Sequence, residues 1–316
     1  MKMRALGHSG LSTAPLVFGG NVFGWTADKA RSFELLDAFV EAGFNAIDTA
    51  DAYSRWVPGH AGGESETIIG EWLKARGRRD DVLILTKVGS DMGQGHNDLS
   101  PAWIERAVED SLRRLNTDVI DLYQAHFPDP DTPQEETLAA FDRLVKAGKV
   151  RAIGVSNHSA EATAEALAIS AREGLARYQT LQPHYNLYSR ATFEGPLQEL
   201  AVREGLGAIT YFSLESGFLS GKYASVDDLK GSPRAASLKD RFDERGVRIL
   251  ATLRAVAARN QATPAQVALA WLLTRPGVAA PIVSATTLEQ LADTLKAVDL
   301  ALSDADVAEL TAASDA

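Results

Sequence analysis

Short apolar or β-branched runs alternate with longer stretches of helical periodicity along the chain. The runs "PLVFG", "FNAID", "VLILTK", "VIDLYQAH", "VRAIGVS", "YQTLQP", "GAITYF" and "GVAAPIV" predict eight strands. Between them lie "DKARSFELLDAFVEAG", "ESETIIGEWLKARG", "PAWIERAVEDSLRRLN", "PQEETLAAFDRLVKAG", "AEATAEALAISAREG" and "TFEGPLQELAVREG", each with apolar residues at helical spacing and most closed by Gly or Asn. Such alternation argues for βαβ units and a parallel sheet. Most strand-to-strand intervals run about 30 to 37 residues, the size of one unit, and the last is widened by an insertion around residues 214–240. Eight regular units predict an α/β fold of the (β/α)8 TIM barrel type rather than an open doubly wound sheet. "MRALGHSGLSTAP", with "HSG" at the turn, predicts an N-terminal β-hairpin, and "LSDADVAELTAAS" a capped C-terminal extra helix. No linker rich in Pro, Gly and Ser divides the chain, so residues 1–316 read as a single barrel domain.

Composition agrees and narrows the function classes. A chain of 316 residues, 45% hydrophobic and 23% charged, can bury a sizeable core as one barrel. Lys and Arg number 32 against 42 Asp and Glu, a net charge of −10, with no basic block; a nucleic-acid surface is not expected, and an anionic ligand must be met by a local site. The absence of cysteine excludes disulfides, thiol nucleophiles and cysteine metal ligands. The first residues lack the apolar core of a secretory signal, and no run approaches the roughly 20 apolar residues of a membrane span, so a cytoplasmic protein without membrane contact is expected.

In a (β/α)8 barrel, catalytic groups come from the C-terminal ends of several strands. Asp48 ends the second run, Lys87 the third and His126 the fourth, and Tyr53 lies in the loop just after Asp48. Alone, each has an ordinary explanation: a cap, a solvated strand tip, a satisfied structural histidine. Together at one rim they make chemical sense. A tyrosine titrates near pH 10, so it exchanges protons poorly at neutral pH unless a neighbour shifts it. An ammonium from Lys87 is expected to favour phenolate and lower the Tyr53 pKa, with Asp48 keeping Lys87 charged and placed, and His126 orienting a carbonyl oxygen or passing the proton.

"IDTADAY", "LTKVG", "YQAH", "IGVSNH", "LQPHYNLYSR" and "SGFLSGKY", in this order and spacing over nearly the whole chain, resemble the aldo-keto reductase superfamily, in particular its branch related to potassium-channel β subunits. The resemblance implies a barrel that binds a nicotinamide cofactor without a Rossmann domain, and a tetrad of Asp48, Tyr53, Lys87 and His126 in which tyrosine is the general acid for carbonyl reduction. It implies that Ser156, Asn157 and Gln182 hydrogen-bond the nicotinamide carboxamide and that Tyr211 stacks on the ring. Ser213, Leu214, Lys222 and Arg234 match the loop around the pyrophosphate. Ser284, Thr286 and Gln290 match the adenosine end, with Thr287 beside them. Many relatives carry a basic residue at the position of Thr286, and Glu and Asn where Asp293 and Thr294 stand. The family favours NADP(H), with NAD(H) as the alternative that Thr286 opens.

No G-x-G-x-x-G follows a strand, and only three residues separate Gly217 from Gly221 in "SGFLSGKY", one short of a P-loop. Trp25, Trp56 and Phe127 are expected to wall an apolar pocket for a small carbonyl or alcohol substrate. No metal is expected. The alternative from another class is a cofactor-binding regulatory module similar to channel β subunits, which carry Asn where this chain has His126. Nothing in the sequence fixes the oligomeric state.

Overall fold

The computed structural model describes residues 1–231 and 235–315. A hairpin of β1 (Arg4–Ala5) and β2 (Ser12–Thr13) precedes eight parallel strands: β3 (Val17–Gly19), β4 (Ala46–Asp48), β5 (Leu83–Val88), β6 (Ile120–Ala125), β7 (Val150–Ser156), β8 (Tyr178–Gln182), β9 (Gly207–Thr210) and β10 (Val278–Val283). They close in sequence order, β10 pairing with both β9 and β3, into the expected (β/α)8 barrel. The helices are α1 (Lys29–Glu41), α2 (Glu64–Arg76), α3 (Pro101–Leu115), α4 (Gln134–Lys146), α5 (Ala160–Glu173), α6 (Pro196–Glu204), α7 (Ala235–Leu238), α8 (Glu244–Arg259), α9 (Pro264–Leu273), α10 (Leu288–Leu295) and α11 (Asp304–Ala313). None of them is long and apolar enough to cross a membrane.

Local chemistry sets the helix ends. Asp28, Ser100, Ser159 and Asp243 each accept a backbone N–H of the first turn, and Ser303 forms a capping box with Asp306 at the start of the predicted C-terminal helix. Gly77, Gly174 and Gly205 end α2, α5 and α6 in the left-handed conformation, and Asn116 does the same for α3.

Each barrel strand is buried on two faces, giving two apolar layers. The larger lies between sheet and helices. The smaller fills the barrel with Val17, Ala46, Leu83, Leu85, Leu122, Ala152 and Ile209, and the hairpin side chains Leu6 and Leu11 join it. The hairpin therefore plugs the N-terminal mouth, where Arg4 donates to the carbonyls of Leu273 and Val278. Gly7, at φ +63°, sits so close to the Gln179 carbonyl that a Cβ would lie 2.2 Å from its oxygen. Side chains alternate faces along a strand. The positions two residues past Ala46, Leu85 and Leu122 are Asp48, Lys87 and Gln124, so the filling turns polar toward the C-terminal rim.

Candidate active site

The rim segment after β4 folds back onto β5. Thr49 N–H donates to Leu85 O at 2.8 Å and Asp51 N–H to Lys87 O at 3.3 Å, which continues the β4–β5 ladder beyond the strand. This carries Tyr53 over Lys87. The buried Lys87 ammonium uses its three protons on Asp48 Oδ2 (2.7 Å), Thr49 O (2.8 Å) and the Tyr53 hydroxyl (2.9 Å). The Tyr53 hydroxyl donates to Asp48 Oδ2 at 3.2 Å, and Gln182 Nε2, from across the barrel on β8, donates to Asp48 Oδ1 at 2.8 Å. Asp48 is thus no helix cap: both its oxygens face the barrel interior.

His126 follows β6 directly, its N–H on Val88 O. Its ring meets Tyr53 edge-on, with centroids 6.1 Å apart, and stacks on Phe127 at 4.6 Å. Its Nδ1 is buried with no hydrogen-bond partner among the described residues. Burial and then the charge of Lys87 hold its pKa well below the usual histidine value, so it is neutral at pH 7.

The direction at Tyr53 corrects the sequence expectation. Burial, followed by the charge and hydrogen bond of Asp48, raises its pKa well above that of a free phenol rather than lowering it. Burial likewise lowers that of Lys87, against the pull of Asp48. An ammonium wedged against a carboxylate has its field largely cancelled at the phenol. The resting group is therefore a phenol that keeps its proton.

The aromatic residues assemble at the same rim. Trp25 and Trp56 meet edge to face at 5.7 Å, and Trp56 reaches Tyr53 at 6.1 Å. With Phe127 stacked on His126, aromatic rings meet two members of the tetrad, Tyr53 and His126, and Trp56 is half exposed.

The other expected residues follow the rim round the barrel, many engaged with one another. Ser156 Oγ donates to Gln182 O, and Asn157, at φ +60°, donates from Nδ2 to His126 O and accepts at Oδ1 from the Tyr211 hydroxyl at 2.7 Å. Tyr211 lies one residue past β9 and stacks on His184, with centroids 5.3 Å apart. A cavity of about 360 Å³ is lined by Asn157, Gln182, His184 and Tyr211 among others. Ser213 is buried on Thr210 O, Leu214 is partly buried, and Lys222 is exposed with Nζ over the Tyr223 ring. Arg234 lies outside the described residues.

Beyond β10, Ser284 Oγ donates to Gly19 O at 2.8 Å and contacts Asn21 Oδ1. Thr286 gives both its N–H and its hydroxyl to Gln290 Oε1, while Thr287 caps α10. Asp293 turns away to accept from Thr263 and Gln266, and Thr294 donates to Gln290 O.

Sequence reasoning missed Asp51, Glu66 and Arg114, buried or half-buried where β5 meets helices α2 and α3, and Glu215, buried beside His184. The second acid of "DTADAY" is the one visible hint of the first three; Glu215 has no signal until the chain folds.

A profile of the aldo/keto reductase family matches residues 15–315. The chain is 32% identical to Protein tas of Escherichia coli, over 99% of this chain and 97% of that protein. It is 36% identical to the uncharacterized oxidoreductase YrpG of Bacillus subtilis, over 96% and 92% respectively. It is also 34% identical to a probable voltage-gated potassium channel subunit beta of Oryza sativa, over 95% and 92%.

Proposed function

We propose, on the premise that this chain belongs to the aldo/keto reductase family and is therefore an oxidoreductase, that it transfers a hydride between NAD(P)H and an aldehyde or ketone, with Tyr53 as general acid. The observation that carries this reading is the Tyr53 hydroxyl, held between Lys87 at 2.9 Å and Asp48 at 3.2 Å.

The residues at the rim fit a nicotinamide cofactor: a flat Tyr211 ring and two amides border one cavity, and Lys222 supplies a cation nearby in sequence. In this reading Ser156, Asn157, Gln182 and Tyr211 hold the nicotinamide end, Ser213, Leu214, Lys222 and Arg234 the pyrophosphate, and Ser284, Thr286 and Gln290 the adenosine end. The bound reduced cofactor supplies the hydride for the carbonyl carbon.

The chain's own groups manage the oxygen. Neutral His126 orients the carbonyl by a hydrogen bond without adding charge. As negative charge develops on that oxygen, the Tyr53 phenol gives up its proton, and the phenolate left behind faces the Lys87 ammonium. Asp48 keeps that ammonium charged and pointed, and Gln182 pins the other oxygen of Asp48. The stabilisation by Lys87 thus rises during proton transfer, which is where it accelerates the step. Alcohol oxidation runs the same route backwards. Trp25, Trp56 and Phe127 receive the apolar body of a small substrate, and residues 1–316 act as one domain.

The test is a panel of aldehydes, ketones, sugars and keto-steroids with NADPH and with NADH, following loss of the reduced cofactor. Turnover of at least one carbonyl compound is expected. Cofactor binding with no turnover across the panel contradicts the reading. It favours instead a regulatory module of the kind named in the rice relative. NADP(H) is preferred on family grounds. Because Thr286 is committed to Gln290, a 2′-phosphate must displace that contact, and tighter fluorescence-titrated binding of NADH than of NADPH overturns the preference.

A further inference from the structure

Three residues after Asp48 the same rim segment carries a second acid that the tetrad does not use. Asp51 is 2% exposed, and neither of its carboxyl oxygens has a side-chain hydrogen-bond partner among the described residues. The charged groups acting on it come from three elements: Glu66 on α2, Arg114 on α3 and Lys87 on β5. Glu66 is itself buried, accepting from Thr86 Oγ1 and, at 2.7 Å, from Arg114 Nε. The Tyr123 hydroxyl of β6, which feels the charge of Asp51, is also buried and unpartnered. The backbone of Asp51 is bound to Lys87 O, and the Lys87 ammonium returns to Thr49 O two residues earlier.

We propose that Asp51 is a positioning residue of this reaction, whose side chain anchors the 48–53 segment between the barrel and helices α2 and α3 and thereby fixes the contact between Lys87 and Tyr53. The inference rests on the reductase reading given above. An ionised carboxylate without partners is far costlier to bury than the neutral acid. Burial first, and the charge of Glu66 second, raise the Asp51 pKa to about 8 against the opposing effects of Arg114, the Ala52 amide and Lys87. At neutral pH the anchor is an uncharged acid. Above that value a second negative charge appears beside Glu66, two residues before Tyr53, and the segment loosens.

Two readouts on the parent and on Asp51→Asn, which keeps the shape of the neutral acid, test this. In pH–rate profiles with saturating cofactor, the parent kcat is expected to fall about tenfold with a midpoint near pH 8, with KM changing less than kcat. The Asn variant keeps most of its turnover at pH 7, and its fall moves up by about one pH unit or more. Asp51→Ala, which keeps no anchor, loses kcat across the range. In hydrogen exchange corrected for intrinsic rates, the peptide spanning residues 48–56 loses protection between about pH 6.5 and 8.5 in the parent but not in Asp51→Asn. Superimposable pH–rate profiles, or equal loss of protection in both proteins, overturn the proposal. A parent that turns over no carbonyl while the exchange difference persists overturns the reductase reading alone.

Discussion

Glu215 is buried in a stretch of backbone that suits glycine: φ is +50° at Phe212, +44° at Glu215 itself and +55° at Ser216. Its carboxylate offsets that strain by accepting from His184, Asn186 and Arg241, at 2.9, 2.6 and 2.7 Å. Burial pushes its pKa up, but the hydrogen bonds outweigh burial and hold it at about 2. A depressed carboxyl pKa contributes stability that is present above the unfolded value, 4.5, and lost as pH falls through the folded one. Between about pH 5 and pH 3 the parent is therefore expected to lose about 2 kcal/mol of unfolding free energy that Glu215→Gln does not lose. Urea unfolding at the two pH values checks it, and equal losses contradict it. The same balance of burial and partners governs Tyr53, where residue types alone pointed the wrong way. Sequence shows that Lys87 and Tyr53 are available to each other. It does not show that Asp48 cancels the lysine's field.

Helices α2 and α3 cross so closely that a Cβ on Gly70 would lie 2.0 Å from Arg114 O and 2.6 Å from the Leu115 carbonyl carbon. That crossing sets Arg114 over Glu66. Alanine is the better helix former by about 1 kcal/mol, yet backbone atoms cannot step aside as a flexible side chain does. Gly70→Ala is expected to lower stability by roughly 1–3 kcal/mol, seen as a lower urea midpoint at unchanged m; a midpoint at or above the parent's contradicts it. Elements of this kind were legible to different degrees. All eight barrel strands stood out because a strand buried on both faces is a short apolar run with polar punctuation. Residues 241–276, in contrast, carry no expected element, yet they form α8 and α9. In α9 eight of the ten residues are buried, from Ala265 to Leu272, so there is no polar face to mark a helical period. The stripe of α8, from Ile249 through Leu253 to Val256, is present, but it follows the irregular 214–240 insertion.

At the scale of the molecule, the tetrad exists only once the barrel closes. Asp48, Lys87 and His126 come from three successive strands, and Gln182 reaches Asp48 from β8, 134 residues away in sequence. The strand-end positions of the first three were readable because the barrel repeats. The Gln182 contact was not, since no local pattern says which side chains meet across the interior. The apolar plug of Leu6 and Leu11 closes one mouth and the polar filling opens at the other, so the polar side chains of the barrel interior gather at one rim. The central claim is that this rim delivers a proton from Tyr53 to a carbonyl oxygen. Tyr53→Phe removes one hydroxyl and leaves Lys87 paired with Asp48 and Thr49. Turnover of the best carbonyl substrate is therefore expected to fall by about 10²–10⁴-fold, with cofactor affinity unchanged. A Tyr53→Phe protein that reduces the substrate at the parental rate would contradict the account.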